Sequence, residues 1–353
     1  MNFIKRLAYH PFIIKLTHWE YWPFTAVYGP VYLYWVWLGI KTRSFFFVNA
    51  ANPTITNGGF LMESKNEIYN LIPNEYYPKT VFLKMGAPLT LALQMMQAAR
   101  LQYPFIAKPD IGGRGRMVSK IKNESDLNAY IKTVKEHFLL QQMVQWEQEV
   151  GIFYYRFPNE KNGHISGIVA KEFLTVTGDG KHTILELLSR EKRFVLQIPE
   201  LKKVYGTRMQ QVLQPGCKEL LVPYGNHARG SKFIDASNEI DEALTQTIDA
   251  VCKQIPGFYF GRMDIKFNNW QELKQGKNFS IIELNGSGSE PTHIYDPKHS
   301  IFFAWKEIIR HWNLLQRISA INHKLNKIPY MSFKEGMKML KADTAHLKKT
   351  AEG

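Results

Sequence analysis

The sequence predicts an α+β chain, and three observations predict it. Short runs rich in β-branched and aromatic residues, 263–267 and 279–284, flank a segment holding Asn268-Asn269 and Gly276, the pattern of paired strands and a turn. Other stretches carry helical spacing: Leu127, Ile131, Val134 and Phe138 stand at i, i+4, i+7 and i+11. The 353 residues, 45% hydrophobic and 22% charged, suffice for a large core and two or three domains.

From the start of the chain, residues 21–40 carry no formal charge and are dominated by Tyr and Trp, with Gly29-Pro30 in the middle. Twenty residues just reach across a bilayer, but these aromatic residues favour the headgroup zone. Basic residues flank the stretch on both sides (Lys5, Arg6 and Lys15; Lys41 and Arg43), so loop charge sets no orientation. Three readings stay open: a surface-lying or re-entrant hairpin, a true span, and a buried or oligomeric helix. Residues 45–48, FFFV, extend this segment or form a strand. Ser64 with Glu67 suits a helix start that Pro73 closes.

Residues 79–84 read as strand or helix, followed by a turn at 86–88 and a helix rich in Leu, Met, Ala and Gln. YPFIAKPDIGGRGRMVSKI then gives strand, glycine loop and strand. Gly112, Gly113 and Gly115 let backbone amides approach a ligand, and Arg114 and Arg116 add positive charge, which suits a hairpin closing over phosphates. An ordinary glycine-rich turn is the alternative, and no Lys-Ser/Thr follows as in a P-loop. The helix over 124–138 leads to an apolar run at 138–144 and a polar linker at 145–149. Strands follow at 151–157 and 164–171, then a Gly178-Asp179-Gly180 turn, a short helix capped by Thr183, and a helix over 240–255. Residues 192–216 carry no clear pattern.

The stretch 261–297 concentrates the chemistry. Alternation points Arg262 and Asp264 to one face, and Glu283 and Asn285 to opposite faces unless Asn285 already belongs to the next loop. Charged groups on a hairpin of Ile, Met and Phe are costly without partners. Two carboxylates and an amide oxygen suit Mg²⁺ carrying nucleotide phosphates; a solvated hairpin with one Arg262 salt bridge is the alternative. Phe333, Met337, Leu340 and Leu347 among lysines form a basic amphipathic helix, suited to an anionic membrane surface or to a solvated tail.

Two cysteines, Cys217 and Cys252, with no CxxC, exclude a disulfide framework or a zinc site and fit a reducing compartment. The net charge of +14 is uneven: residues 1–48 contribute +4 and 317–353 contribute +5. A basic excess beside apolar termini favours a membrane surface or nucleotide over nucleic acid.

In order, the strand ending at Lys108, the glycine loop, the QMVQ linker, VTGDGKHTILELL and the RMD…IELN set resemble the ATP-grasp superfamily. Within it they are most similar to carboxylate–amine ligases of the D-alanine–D-alanine ligase and cyanophycin synthetase kind, over about 79–293. The resemblance implies an ATP-grasp fold, two α+β subdomains gripping ATP. Around it lie an aromatic segment (1–48), a reduced region (49–78), a small subdomain (79–141), a large subdomain (142–325) and a basic tail (326–353). It implies contacts to ATP from Lys79, Lys108, Gly112, Gly113, Arg114, Gly115, Gln142, Val144 and Glu149, with Gln142 and Val144 at adenine and Glu149 at ribose. It implies Asp264, Glu283 and Asn285 as ligands of two Mg²⁺ ions, replaceable by Mn²⁺. Arg262 and Lys171 would be the catalytic cations. Arg156, His227, Arg229 and His293 are the substrate-side candidates.

The implied activity joins a small carboxylate to a small amine through an acyl phosphate. Alternatives are a grasp-fold kinase and a non-catalytic nucleotide-binding protein at a membrane. The expected location is the cytoplasmic face of a membrane, peripheral or monotopic.

Overall fold

The computed structural model describes residues 8–113, 115–222, 225 and 230–351. Its first layer is helical: α1 (Pro11–Thr17), α2 (Phe24–Tyr28) and α3 (Tyr32–Thr42). Pro23 precedes α2 and Gly29-Pro30 ends it, so the uncharged stretch is cut into pieces. The 11 residues of α3 reach only about 16 Å, half the thickness of a bilayer core. Among the described residues no helix is long and apolar enough to cross a membrane. One side of α3 packs inward, with Trp35 and Leu38 against Phe47 and Phe60. The other side leaves Leu33, Val36, Trp37 and Ile40 exposed by 79%, 44%, 49% and 64%. Residues 45–48 form neither strand nor anchor: Phe47 and Val48 are buried in a 3₁₀ turn, Phe47–Ala51.

After α4 (Lys65–Tyr69) comes a four-stranded antiparallel sheet in the order β1-β4-β2-β3: β1 (Thr80–Leu83), β2 (Phe105–Pro109), β3 (Ser119–Ile121) and β4 (Phe138–Gln142). Helices α5 (Leu89–Ala98) and α6 (Glu124–Thr133) cover it around Leu83, Phe105, Leu127 and Phe138. The periodicity reaching Phe138 overshoots, because α6 stops at Thr133. Phe138 instead pairs with Leu83 and Pro109, and this central-strand pairing outweighs the local helical pattern.

A five-stranded antiparallel sheet follows in the order β11-β10-β5-β6-β9. Its strands are β5 (Gln148–Tyr155), β6 (His164–Glu172), β9 (Lys232–Asp235), β10 (Phe260–Phe267) and β11 (Phe279–Asn285). Glu149 therefore lies in a strand and not in a linker. A small sheet of β7 (Leu174–Thr177) and β8 (Lys218–Val222) packs with α7 (Ile184–Leu188), α8 (Lys192–Val195) and α9 (Ile198–Tyr205). Helix α10 (Glu242–Lys253) buries Leu244, Ile248 and Val251 against β5, β6 and β10. The connection from β10 to β11 is more than a turn: Asn269 caps α11 (Trp270–Lys274). Helix α12 (Ile301–Leu325) was not foreseen from sequence; it packs Ala304 and Ile308 on the first layer, and Leu315 and Ile318 near Phe153 and Phe260. Helix α13 (Phe333–Ala351) starts against Phe46. Its His346 lies 3.7 Å from Glu136, beside Gly112, so the tail is docked.

Candidate active site

The site is built on the β10–β11 register. Arg262 stands opposite Asn285, and Asp264 opposite Glu283. Opposed residues share a sheet face, so all four side chains lie on one side. The expectation that Glu283 and Asn285 point apart is corrected: Asn285 is still in the ladder, and residues two apart on a strand face the same way. Beyond Asp264 the register slips, and Ile265 faces Ile281. The bulge leaves Ile282 without an opposite residue. Its carbonyl accepts instead from the Tyr69 hydroxyl and from Lys108 Nζ at 3.1 Å.

On the other flank Asp264 faces Gly151 of β5. A Cβ there would sit 3.0 Å from both Arg262 Cδ and Asp264 Oδ1, and 2.9 Å from Val169 Cγ1. Glycine at 151 thus makes room for the ion pair above it, a requirement of space that the sequence pattern did not signal.

The charges form a chain. Lys171 Nζ lies 2.8 Å from Glu149 Oε1 and 2.8 Å from Asp264 Oδ2, while Arg262 Nε donates to Asp264 Oδ1 at 2.8 Å. Burial would raise the Asp264 carboxyl, but Arg262 and Lys171 outweigh it and hold it at about 2. Burial opposes the charge on Lys171, yet Asp264 and Glu149 keep it above the usual lysine range. Lys108 has no such compensation. Burial lowers it to about 8, with Glu283 opposing that shift, and its Nζ donates to Tyr69 Oη at 2.9 Å and Gln141 Oε1 at 2.8 Å. The phosphate-binding lysine expected from sequence therefore bridges the four-stranded sheet to the bulge beside Glu283.

Among the described residues no three His, Cys, Asp or Glu side chains are gathered for a metal. The oxygen donors differ in state. Asp264 is held by two cations, the half-buried Glu283 side chain makes no hydrogen bond or ion pair with the described residues, and Asn285 Nδ2, a donor, is buried without a partner among them. The carboxylate oxygens of Asp264 and Glu283 and the amide oxygen of Asn285, on two neighbouring strands, are an all-oxygen set of the kind a hard cation such as Mg²⁺ takes.

No family model matches the chain. In sequence it is similar to the glutathione biosynthesis bifunctional protein GshAB of Streptococcus thermophilus, at 22% identity over 267 residues, covering 68% of this chain and 35% of that one. The chain thus spans about a third of the length of the relative it matches. Among solved structures it is similar to a bifunctional glutathione synthetase from Pasteurella multocida, with TM-score 0.40, 15% identity, and 75% of this chain and 38% of that one covered. It is also similar to the VanG D-Ala:D-Ser ligase from Enterococcus faecalis, with TM-score 0.43, 14% identity, and 76% and 64% covered. The motifs that resemble the ATP-grasp superfamily in sequence meet where the two sheets join, in a chain similar to GshAB at 22% identity.

The other expected site residues take different places. Gly112, Gly113 and Gly115 form the loop after β2; Gly112 and Gly115 have φ of +129° and +67°, where glycine is favoured. Arg114, His227 and Arg229 lie outside the described residues. Glu149, expected at ribose, is buried with its Oε1 2.8 Å from Lys171 Nζ.

Strand alternation turns Gln141, not Gln142, inward to Lys108; Gln142 is exposed, Val144 is half-buried, and Lys79 is exposed with its carbonyl accepting from Gln142 N–H. Arg156 follows β5 three residues past Phe153, the partner of Arg262, and its guanidinium stacks on Tyr259. His293 lies on the Lys171 face of β6, over Gly167, but it is buried 3.4 Å from Glu307. Tyr69, Gln141 and Gly151 complete the site, and sequence reasoning missed all three.

Proposed function

We propose that this chain is an ATP-dependent carboxylate–amine ligase of the ATP-grasp kind that releases ADP and phosphate. The observation that carries the reading is the convergence at one junction of Lys108 from one sheet with Arg262, Asp264, Glu283 and Asn285 from the other. Phosphoryl transfer asks a protein mainly for positioning and charge neutralisation, which such a set provides. The substrate carboxylate attacks the γ-phosphorus; the bond from that phosphorus to the β–γ bridging oxygen breaks, and ADP leaves. The amine nitrogen then attacks the acyl carbon, phosphate departs with its oxygen, and the amine proton is lost. Lys108 and the glycine loop hold the phosphates, and Arg262 faces the developing negative charge. Asp264, Glu283 and Asn285 would hold one or two Mg²⁺ ions, which Mn²⁺ can replace and which supply charge neutralisation at the phosphate oxygens. Small carboxylates and amines, amino acids such as D-alanine among them, are the substrates to assay.

Free phosphate that appears only with both an acid and an amine supports the ligase. ADP with a phosphorylated product and no free phosphate would establish the kinase instead.

A membrane surface is proposed as the place of action, on the cytoplasmic side where ATP is supplied. Exposed Leu33, Val36, Trp37 and Ile40 line one side of α3, next to Lys41 and Arg43. Glu20, the one acid in the first 62 residues, is buried 2.8 Å from Arg193, so this layer presents no exposed acid among its described residues. The pairing of apolar and basic surface suits anionic lipid. The double variant Leu33→Asp/Ile40→Asp is expected to lose at least about tenfold in co-sedimentation with phosphatidylglycerol vesicles while its thermal midpoint holds. Unchanged sedimentation would remove the surface from the proposal.

A further inference from the structure

The segment between the aromatic layer and β1 reads in sequence as a reduced linker. In the structure its helix α4 is wedged between the two sheets. Tyr69, the last residue of α4, is 3% exposed. Its hydroxyl meets Lys108 Nζ at 2.9 Å and donates to the carbonyl of Ile282, next to Glu283. The same carbonyl takes Lys108 at 3.1 Å, so lysine, phenol and bulge carbonyl form a closed triangle. The start of α4 grips the root of the glycine loop. Asp110 Oδ1 accepts from Asn66 N–H at 2.8 Å and Ser64 Oγ at 3.0 Å, Asp110 O accepts from Lys65 N–H at 3.1 Å, and Lys65 Nζ reaches Gly112 O. Four residues, Ser64, Lys65, Asn66 and Tyr69, thus touch Lys108, the glycine loop and the strand that carries Glu283.

We infer that Tyr69 is a positioning residue for nucleotide phosphates: it sets the spacing between Lys108 on one sheet and the Glu283 strand on the other. The triangle needs a group that accepts from an ammonium while donating to a carbonyl, and a phenol does both. Burial pushes the Tyr69 phenol up, so it keeps its proton as a donor at neutral pH. Without the hydroxyl, Lys108 keeps Gln141 and Ile282, but nothing from α4 holds lysine and bulge in register. The bulge is what makes the arrangement available, since it removes Ile282 from the ladder and presents its carbonyl.

This rests on the nucleotide reading proposed above, and the test separates the two. Binding of Mg-ATP and of adenosine to the full chain is measured by calorimetry for the wild type and Tyr69→Phe. The hydroxyl touches a buried charged group, so Tyr69→Phe is expected to weaken ATP about tenfold. Adenosine, which has no phosphates for Lys108, is expected to bind unchanged, with the thermal midpoint close to wild type. Unchanged ATP affinity, or an equal loss for ATP and adenosine, would overturn the positioning role. Failure of the wild type to bind ATP at all would overturn the nucleotide reading itself, and this inference with it.

Discussion

Asp264→Asn is expected to abolish ADP formation, by about 10³-fold or more, and to destabilise the fold at the same time. The carboxylate serves two buried cations at once, Lys171 at 2.8 Å and Arg262 at 2.8 Å. An amide of the same shape cannot neutralise either. Lys171 keeps Glu149 and Arg262 keeps the Glu290 carbonyl at 3.3 Å, so the loss is that of one buried partner, about 3 kcal/mol.

The pH dependence has a definite sign. The Asp264 carboxyl is held at about 2 against an ordinary 3.8, so its contribution is complete above pH of about 4 and is lost as pH falls through 2. The gap in unfolding free energy between wild type and Asp264→Asn is therefore expected to narrow as pH drops from about 4 toward 2. Denaturant melts of both proteins across that window check it; a constant gap would show that the charge of Asp264 carries none of the stability.

Glu283→Gln is expected to separate activity from stability. Glu283 shares the face of Asp264, yet its side chain has no hydrogen bond or ion pair to lose among the described residues, and it is half-buried. Removing its charge should cost less than the Asp264 change, because what is lost is a through-space attraction to Lys108 and Arg262 and not a direct ion pair. Turnover should still fall by about 10²–10³-fold, because an amide would hold the proposed Mg²⁺ less tightly than a carboxylate does. The contrast between the two variants is the informative measurement. Equal loss of stability in both would mean that Glu283 is a structural carboxylate. Full turnover in Glu283→Gln would take it out of the metal-binding set, whatever the fate of Asp264.

The two sheets show where local pattern suffices. The strands of β10 and β11 and the helix α10 lie close to where apolar spacing places them. Lys108 lies at the end of its strand as read, although the strand runs one residue further, to Pro109. The reading failed where long-range pairing wins. Phe138 follows a helical period yet joins β4, because the space between β1 and β2 needs a strand. Gln141 and not the adjacent Gln142 faces Lys108, since one residue of register decides which side chain does. Glu149 and Lys171 are 22 residues apart and carry no mark of being each other's counter-ion.

By itself, the sequence determined the donors and their order: a lysine before a glycine loop, then arginine and aspartate on one strand, then glutamate and asparagine on the next. Those are properties of residue type and short spacing, which local alternation and turn chemistry encode. Only the tertiary structure decided that a bulge at Ile282 turns a carbonyl toward Lys108, and that Tyr69 closes the gap between two sheets. It also decided that the aromatic stretch lies as broken helices with one bare face. A bulge and a wedge arise from packing between distant segments, and no window of neighbouring residues contains that information.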